Sequence, residues 1–169
     1  MVARRTLSVT QPLSADEEAL LRALARVLMH LPRALDADLL RDQRLPQSEY
    51  FVLMHLSEAP GKSLRMSELA AAAALSLSGM TRLVSKLECE GLVARERIAG
   101  DGRGCNAVLT GAGLRRLRKA WPTHLASVRR RIFDNVPISD LPIITAALTR
   151  LAGGDPIPAS GGCSTAPEE

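Results

Sequence analysis

The sequence has few aromatic residues: one Trp, one Tyr and two Phe among 169 residues. Proteins that hold single-stranded nucleic acid stack its bases on exposed rings, so this mode of binding is not expected. The three cysteines form no C-x-x-C pair, and their odd number argues against a disulfide framework. No run of about 18 apolar residues exists, which excludes a predicted transmembrane helix, and no apolar segment of a secretory signal follows the N-terminal arginines. We expect an aliphatic core, a cytoplasmic location and no membrane partner.

Sequence motifs for catalysis and for metal binding are also missing. His30, His55 and His124 lie on three different predicted helices without the spacing of a metal site. The glycines of the segment 100–104 are not followed by a helix, so they do not form a dinucleotide-binding loop. No G-x-S-x-G motif, Walker loop or paired acidic cluster occurs. We therefore expect no enzymatic activity, no cofactor and no metal.

Positive charge is concentrated in one part of the chain. The net charge is +4 and the isoelectric point about 9.4, but residues 111–136 carry seven Lys or Arg against one Asp. Residues 137–169 carry one Arg against four acidic residues. A basic domain with an acidic end suits a polyanionic partner such as nucleic acid. The solvated face of a helix gives the same pattern, so charge alone leaves both interpretations open.

Hydrophobic spacing predicts six helices and one β-hairpin. The helices are expected at 14–41, 46–58, 68–74, 76–90, 111–134 and 139–151, and the hairpin strands at 92–98 and 106–109. We expect Ser14 to cap the first helix, and Pro32 and Pro122 to kink the helices that contain them. The predicted regions are a flexible N-terminal arm (1–13), a dimerisation helix (14–45), a winged helix-turn-helix lobe (46–110), further dimerisation helices (111–152) and a disordered tail (153–169). The predicted fold is mainly α, a winged helix-turn-helix with a small β-hairpin wing, in which an intertwined dimer buries the apolar stripes of the first and last helices.

Four motifs in order resemble the MarR family of bacterial winged-helix transcription factors. Residues 75–93, LSLSGMTRLVSKLECEGLV, are similar to its recognition helix and the entry into its wing. Asp101 and Arg103 stand where the family has a wing-tip D-x-R, and Leu109, Thr110 and Gly113 match its L-T-x-x-G. The resemblance implies a homodimeric repressor that binds pseudo-palindromic double-stranded DNA and responds to a small, often anionic aromatic or phenolic effector. The glycine-rich wing, Cys105 and Gly79 depart from the family pattern.

The helix at 76–90 is the element predicted to read bases. Met80, Leu83, Val84 and Leu87 recur at helical spacing and form a buried stripe. The residues predicted to face the DNA are Ser76, Ser78, Gly79, Thr81, Arg82, Ser85 and Lys86. Arg82 has the geometry to hold a guanine in the major groove, and the small residues at the helix start let it approach phosphates. The alternative is an ordinary amphipathic surface helix.

The hairpin supplies four further candidates. Arg95 and Arg97 alternate on one face and are expected to meet the DNA backbone. Arg103 suits a narrow minor groove, with Asp101 holding its guanidinium by a charge-assisted bond. We predict that Arg103→Ala weakens binding to related operators equally and lowers the salt slope by about one. The alternative is a surface ion pair.

The remaining candidates are less specific. Arg115, Arg116, Arg118 and Lys119 suit either phosphates or a solvated dimer helix, and Arg129–Arg131 suit solvent or pairing between subunits. His30 and Tyr50 are candidates for the effector pocket, or else ordinary core residues. Cys105 beside Arg103 suggests a redox-sensing regulator, whereas Cys89 is expected to be partly buried. A protein-interaction module or antirepressor that keeps the fold without binding DNA stays an alternative.

Overall fold

The computed structural model describes residues 11–97 and 104–153. Across these two ranges the elements are α1 (Ala15–Gln43), α2 (Gln47–Glu58), β1 (Ser63–Arg65), α3 (Met66–Ala72), α4 (Leu77–Cys89), β2 (Val93–Arg97), β3 (Cys105–Leu109), α5 (Gly111–Arg131) and α6 (Leu141–Leu151). Short 3₁₀ turns lie at Pro60–Lys62, Phe133–Asn135 and Ile138–Asp140. This is the mainly α architecture with a small sheet that the sequence predicted.

The chain divides into two compact units, one ending at Ala34 and one beginning at Leu35. In the first, Ser14 Oγ accepts a hydrogen bond from the backbone N–H of Glu17 (3.3 Å), and Glu17 Oε2 accepts one from the N–H of Ser14 (2.8 Å). This reciprocal capping box begins α1 where the sequence placed it. Leu20 and Leu28 remain 67% and 66% exposed. The helix continues through Pro32, so this proline does not end it.

The second unit contains a mainly aliphatic core formed by the end of α1, by α2 to α5 and by the sheet. Its largest fully buried side chains are Tyr50, Leu39, Leu45, Leu53, Leu56, Leu69, Met80, Leu87, Leu117, Val52, Val84 and Val93. Each buried aliphatic side chain of this size contributes about 1.5–3 kcal/mol by leaving water. The core therefore holds α4 by its apolar stripe and leaves the opposite face of that helix outside.

The sheet has three antiparallel strands in the order β1-β3-β2. Val93 pairs with Leu109 and Arg97 with Cys105 along the predicted hairpin. The sequence did not predict β1, which pairs Ser63 with Val108. Three residues are too few to show a period-2 pattern, and β1 exists because β3 provides a partner for it.

A tight turn joins α3 to α4. The N–H of Arg65 donates to Glu68 Oε2 at 3.2 Å, so α3 begins two residues before its predicted start. Its end is a left-handed cap in which Ala74 has φ +51° and the N–H of Leu75 donates to the carbonyl of Ala70 at 2.9 Å. This turn sets the start of α4.

The junction from α4 through the hairpin to α5 is closely bonded. Gly91 takes φ +70°, and Leu92 N–H bonds back to Leu87 at 2.9 Å, which ends α4 as predicted. Thr110 Oγ1 donates to the carbonyl of Gly91 (2.7 Å) and accepts from the N–H of Gly113 (3.0 Å). A Cβ on Gly113 would stand 2.1 Å from the carbonyl oxygen of Leu92. The glycine of the L-T-x-x-G motif is therefore required by close backbone packing.

The two last helices differ in their surroundings. α5 continues through Pro122, where a kink was predicted, and buries Leu117 and Ala120 in the core. α6 begins after Asp140 and leaves Ile143 and Leu151 71% and 68% exposed. The apolar side chains of α6 thus lie outside the core of the single chain.

Candidate nucleic-acid interface

The first feature of the candidate interface is the capped start of α4. Ser76 Oγ accepts from the N–H of Gly79 at 3.1 Å and lies 3.2 Å from Ser78 Oγ. The Cβ of a larger residue at Gly79 would stand 3.2 Å from Ser76 Oγ, so glycine gives the cap room. The predicted N-terminal group of small residues is therefore a closely packed helix cap at the surface.

The outer face of α4 carries the polar side chains that the sequence placed there. Ser78, Thr81, Arg82 and Lys86 are exposed, and Gly79 and Ser85 are half-buried. Met80, Val84 and Leu87 are fully buried, and Leu83 is partly buried, so the predicted stripe is present. A helix with one face in the core and a small, polar outer face has the width and chemistry to enter a major groove.

The two hydroxyls in the middle of this face bond to their own helix. Thr81 Oγ1 donates to the carbonyl of Leu77 at 2.8 Å, and Ser85 Oγ donates to the carbonyl of Thr81 at 2.9 Å. Each hydroxyl proton is used, and Ser85 Oγ also accepts a hydrogen bond from Arg95 at 2.7 Å. Thr81 is therefore the exposed hydroxyl of this pair whose oxygen is better placed to accept a hydrogen bond from a base amino group.

The three cations that approach this face are held in different ways. Arg82 is exposed, and the described ranges contain no hydrogen bond or ion pair from its guanidinium. Lys86 Nζ bonds to Glu49 Oε1 on α2, and this contact foremost raises the pKa of Lys86. Arg95 on β2 donates to the carbonyl of Thr81 (2.9 Å) and to Ser85 Oγ (2.7 Å). Arg82 is thus the cation of α4 that is available to a base.

The position of Arg95 differs from the expectation that it points toward the DNA backbone. Its side chain is 28% exposed, and its second guanidinium nitrogen lies 3.5 Å from Glu88 on α4. Because all these bonds go to α4, Arg95 fastens the wing strand to the helix. Arg97, two residues on, is exposed as predicted. The wing-tip candidates Asp101 and Arg103 lie outside the described residues.

The two effector-pocket candidates lie in different surroundings. His30 is an exposed residue of the first unit. Tyr50 is fully buried in the core of the second, where its ring centroid is 4.5 Å from that of His124. Burial lowers the pKa of His124 below its usual range. Tyr50 therefore belongs to a packed ring cluster that joins α2 to α5.

Sequence analysis missed a buried carboxylate at the end of α1. The Asp38 side chain is 2% exposed and accepts from Ser127 Oγ, Arg130 (2.8 Å) and Arg131 (2.7 Å) on α5, and from Arg41 (3.1 Å). The sequence predicted solvent or a second subunit for Arg129–Arg131, and it missed that Arg130 and Arg131 bind Asp38 in their own chain, although Arg130 stays 58% exposed. The signal was an Asp beside Leu39 within an apolar stripe, a position where a charge requires partners.

The basic start of α5 also bonds within the chain. Arg116 donates to the backbone carbonyl of Gln43 at the end of α1, whereas Arg115 and Lys119 are exposed. The first contact supports the structural alternative for Arg116. The exposed pair keeps its charge at the surface.

The two cysteines within the described residues, Cys89 and Cys105, differ in exposure. Cys89 is exposed, so its predicted partial burial is wrong, because two residues beyond Leu87 a helix has turned by about 200°. Cys105 is half-buried on β3 and its thiol lies 3.7 Å from the carbonyl of Asn106. No disulfide joins these two residues.

Metal sites and membrane-spanning helices are both lacking in the part of the chain that the structure describes. No group of three or more His, Cys, Asp or Glu is arranged to hold a metal ion there. No helix among the same residues combines the length and apolar character needed to cross a bilayer.

Comparison with known proteins gives a consistent family. The MarR family model matches residues 45–104. The structure of AbsC, a MarR family transcriptional regulator from Streptomyces coelicolor, is 37% identical, with a TM-score of 0.79, 85% of this chain covered and 97% of that one. Sco3205, a MarR family regulator from the same organism solved in complex with DNA, is 33% identical, with a TM-score of 0.80 and coverage of 89% and 95%.

A third likeness concerns the fold. A mutant MarR from E. coli complexed with operator DNA is 19% identical, with a TM-score of 0.69, and the match covers 83% of this chain and 99% of that one. Among curated protein sequences no significant match was found.

Proposed function

The chain belongs to the MarR family of transcriptional regulators, and from this premise we propose that it binds double-stranded DNA in a sequence-specific manner as a homodimer. The observation that carries the proposal is the outer face of α4. Arg82 stands exposed among Ser78, Thr81 and Ser85, while the opposite face is fixed in the core. The complex of Sco3205 with DNA supports the same use of the fold.

The proposed contact to bases is made by Arg82. A guanidinium in the major groove binds O6 and N7 of a guanine with two parallel bonds. The hydroxyl of Thr81 accepts from a base amino group, because its proton is already bonded to the helix backbone, whereas Ser85 Oγ also accepts from Arg95. Specificity then comes from one bidentate contact and a small set of hydroxyl acceptors.

The proposed dimer is supported by apolar side chains that the single chain leaves uncovered. Leu20 and Leu28 of α1 and Ile143 and Leu151 of α6 are each more than 65% exposed. Removing such side chains from water is worth about 25 cal/mol per Å², which favours association with a second copy. Two α4 helices in a two-fold dimer would then read half-sites about 34 Å apart.

The DNA-binding proposal is tested by selection from a random pool of duplexes. We expect enrichment of a pseudo-palindrome, and binding of the selected duplex that weakens steeply with salt. Arg82→Ala should cost about 1–3 kcal/mol and relax the preference at one position per half-site. Arg82→Lys is the matched control, since it keeps the charge and loses the bidentate geometry. A dimer that enriches no duplex would favour the protein-interaction alternative.

Regulation by a small aromatic or phenolic effector, with repression as its default, completes the proposal. His30 and Tyr50 stay its candidate residues, and Tyr50 contacts an effector only if the ring cluster opens. Benzoate and phenol should be titrated into the complex with the selected duplex. Release of DNA by either compound would support the effector response, and unchanged affinity at saturating concentration would contradict it. A reporter gene behind the selected duplex distinguishes repression from activation.

A further inference from the structure

The two cations of α4 have opposite surroundings. Lys86 Nζ bonds to Glu49 Oε1 and lies 3.9 Å from Glu90 Oε1. The Lys86 side chain is 54% exposed, whereas that of Glu49 is 5% exposed. Arg82, one turn earlier, is exposed and is bonded to no described residue. The helix thus presents one available guanidinium and one ammonium already bound to a carboxylate.

Glu49, which binds Lys86, is a nearly buried carboxylate on the core side of that contact. It lies in the first turn of α2, next to the fully buried Tyr50, and its backbone N–H bonds to the carbonyl of Pro46 at 3.0 Å. Because α2 is part of the core, the carboxylate has a fixed position and little contact with water. A carboxylate without solvent keeps a close cation more firmly than an exposed one does.

The bond changes what Lys86 offers to DNA. Phosphate attracts lysine as a point charge and binds it through a negatively charged oxygen. Glu49 Oε1 is an oxygen of the same kind, already in place. The charge of Lys86 is already neutralised in the free protein, so Lys86 gains nothing by exchanging the carboxylate for a phosphate. A DNA phosphate that lies near it therefore releases no additional counterion.

We propose that Glu49 acts as a built-in substitute for a DNA phosphate on Lys86, so that Lys86 adds nothing to the salt dependence of DNA binding. The consequence is a restrained affinity for DNA of any sequence, because non-specific binding depends on the number of phosphates neutralised. Discrimination between DNA sequences then depends on Arg82. This inference rests on the proposed function, and it assigns to Glu49 a positioning role that the sequence did not indicate.

The first test is the salt dependence of binding to the selected duplex and to a random-sequence duplex, measured by fluorescence anisotropy. Glu49→Gln should steepen the slope of log K against log salt by about 0.9, since Lys86 now meets a phosphate. Between about 50 and about 200 mM salt this is an extra change of three- to fourfold in affinity. At low salt the random duplex should bind the Glu49→Gln variant more tightly than it binds the original chain.

Two further variants isolate the contribution of the pair. Glu90→Gln is the matched control, because it removes one negative charge near Lys86 from an exposed side chain, and it should change the slope much less. The double variant Glu49→Gln with Lys86→Met removes both charges of the pair and keeps side chains of similar shape. Its slope should equal that of the original chain.

The opposite results are equally clear. An unchanged slope in Glu49→Gln, or a double variant about 0.9 shallower than the original chain, would overturn the inference, because Lys86 would then already bind phosphate. Failure of the proposed function is a separate result, in which the original chain itself binds no duplex. Circular dichroism and the unfolding midpoint check that each variant is folded.

A second measurement needs no variant. The sequence has three lysines, Lys62, Lys86 and Lys119, so reductive methylation with a ¹³C label gives few signals. The signal of Lys86 should stay in place when the selected duplex is added. A shift of that signal to a phosphate-bound position would overturn the inference even if Glu49→Gln does not fold.

Discussion

Replacing Asp38 by Asn is the most direct test of the hydrogen bonds that join the end of α1 to α5. The carboxylate accepts hydrogen bonds from Ser127 Oγ and from the guanidinium groups of Arg41, Arg130 and Arg131, three of them at 2.7–3.1 Å. An amide has one acceptor oxygen and a donor group that faces other donors. The variant therefore loses charge-assisted bonds and places an N–H against an N–H.

The expected loss of stability follows from the exposure of the partners. A hydrogen bond to a charged group is worth about 1.5–3 kcal/mol, and breaking a buried pair costs about 3–5 kcal/mol. The arginine side chains are 32–61% exposed and partly screened by water. We expect Asp38→Asn to lower the free energy of unfolding by about 3 kcal/mol, which is roughly 6–12 °C in the unfolding midpoint for a chain of this length.

The same change predicts a pH dependence. The hydrogen bond from Arg131, foremost, holds the pKa of Asp38 well below its usual range, against the opposing effect of burial. A lowered pKa in the folded state stabilises the protein above the unfolded pKa of about 3.9, and this contribution is lost as the pH falls toward the folded value. The difference in stability between the original chain and Asp38→Asn should therefore be full at neutral pH and shrink below about pH 4.

The assay is thermal unfolding monitored by circular dichroism from about pH 3 to about pH 7, at one protein concentration because the proposed dimerisation would shift the midpoint. Asp42→Asn is the control, since Asp42 is exposed and bonds to Arg41 at 2.7–2.8 Å, and its midpoint should hardly change. A shift of less than about 2 °C for Asp38→Asn, or a difference that does not vary with pH, would refute the reasoning.

Three further predictions concern α4, α5 and the wing. Burial lowers the pKa of His124, so stability should fall as the pH drops below the unfolded value of about 6.5 toward the lower folded value, because the unfolded state takes up the proton first. His124→Phe should reduce that pH dependence in thermal unfolding, and an equal dependence in both proteins would contradict the prediction. Gly113→Ala places a Cβ 2.1 Å from Leu92 O and should lower the free energy of unfolding in urea by at least about 1–3 kcal/mol. An unchanged midpoint would show that the backbone at this junction shifts to make room. Arg95→Ala should weaken binding to the selected duplex without changing its salt slope, because Arg95 bonds to α4; a slope lower by about 0.9 would show a phosphate contact instead.

The local features of the fold were predictable because they depend on neighbours in sequence. Ser76 caps α4, and Met80, Val84 and Leu87 are buried as the helical spacing indicated. Gly91 has the left-handed conformation that a helix end favours. These features need only residues within one or two turns, and a helix period over 13 residues specifies its buried face.

The contact partners of the long charged side chains could not be predicted from the sequence. Lys86 meets Glu49, which lies 37 positions earlier, and Arg131 meets Asp38, which lies 93 positions earlier. Neither partner is marked by spacing, because the first contact arises from how α2 packs with α4 and the second from how the end of α1 packs with α5. Arg95 shows the same limit, since alternation places it on a face of β2 but does not say that α4 covers that face.

The bonded junction at Thr110 has a mechanical consequence. Its hydroxyl ties the residue that ends α4 to the first turn of α5, and Gly113 leaves no space between that turn and the backbone of Leu92. We therefore expect a rotation of α5 to move the end of α4 with it. A tilt of α5 would then reach α4, whose outer face is the proposed DNA-binding surface, through these few shared contacts.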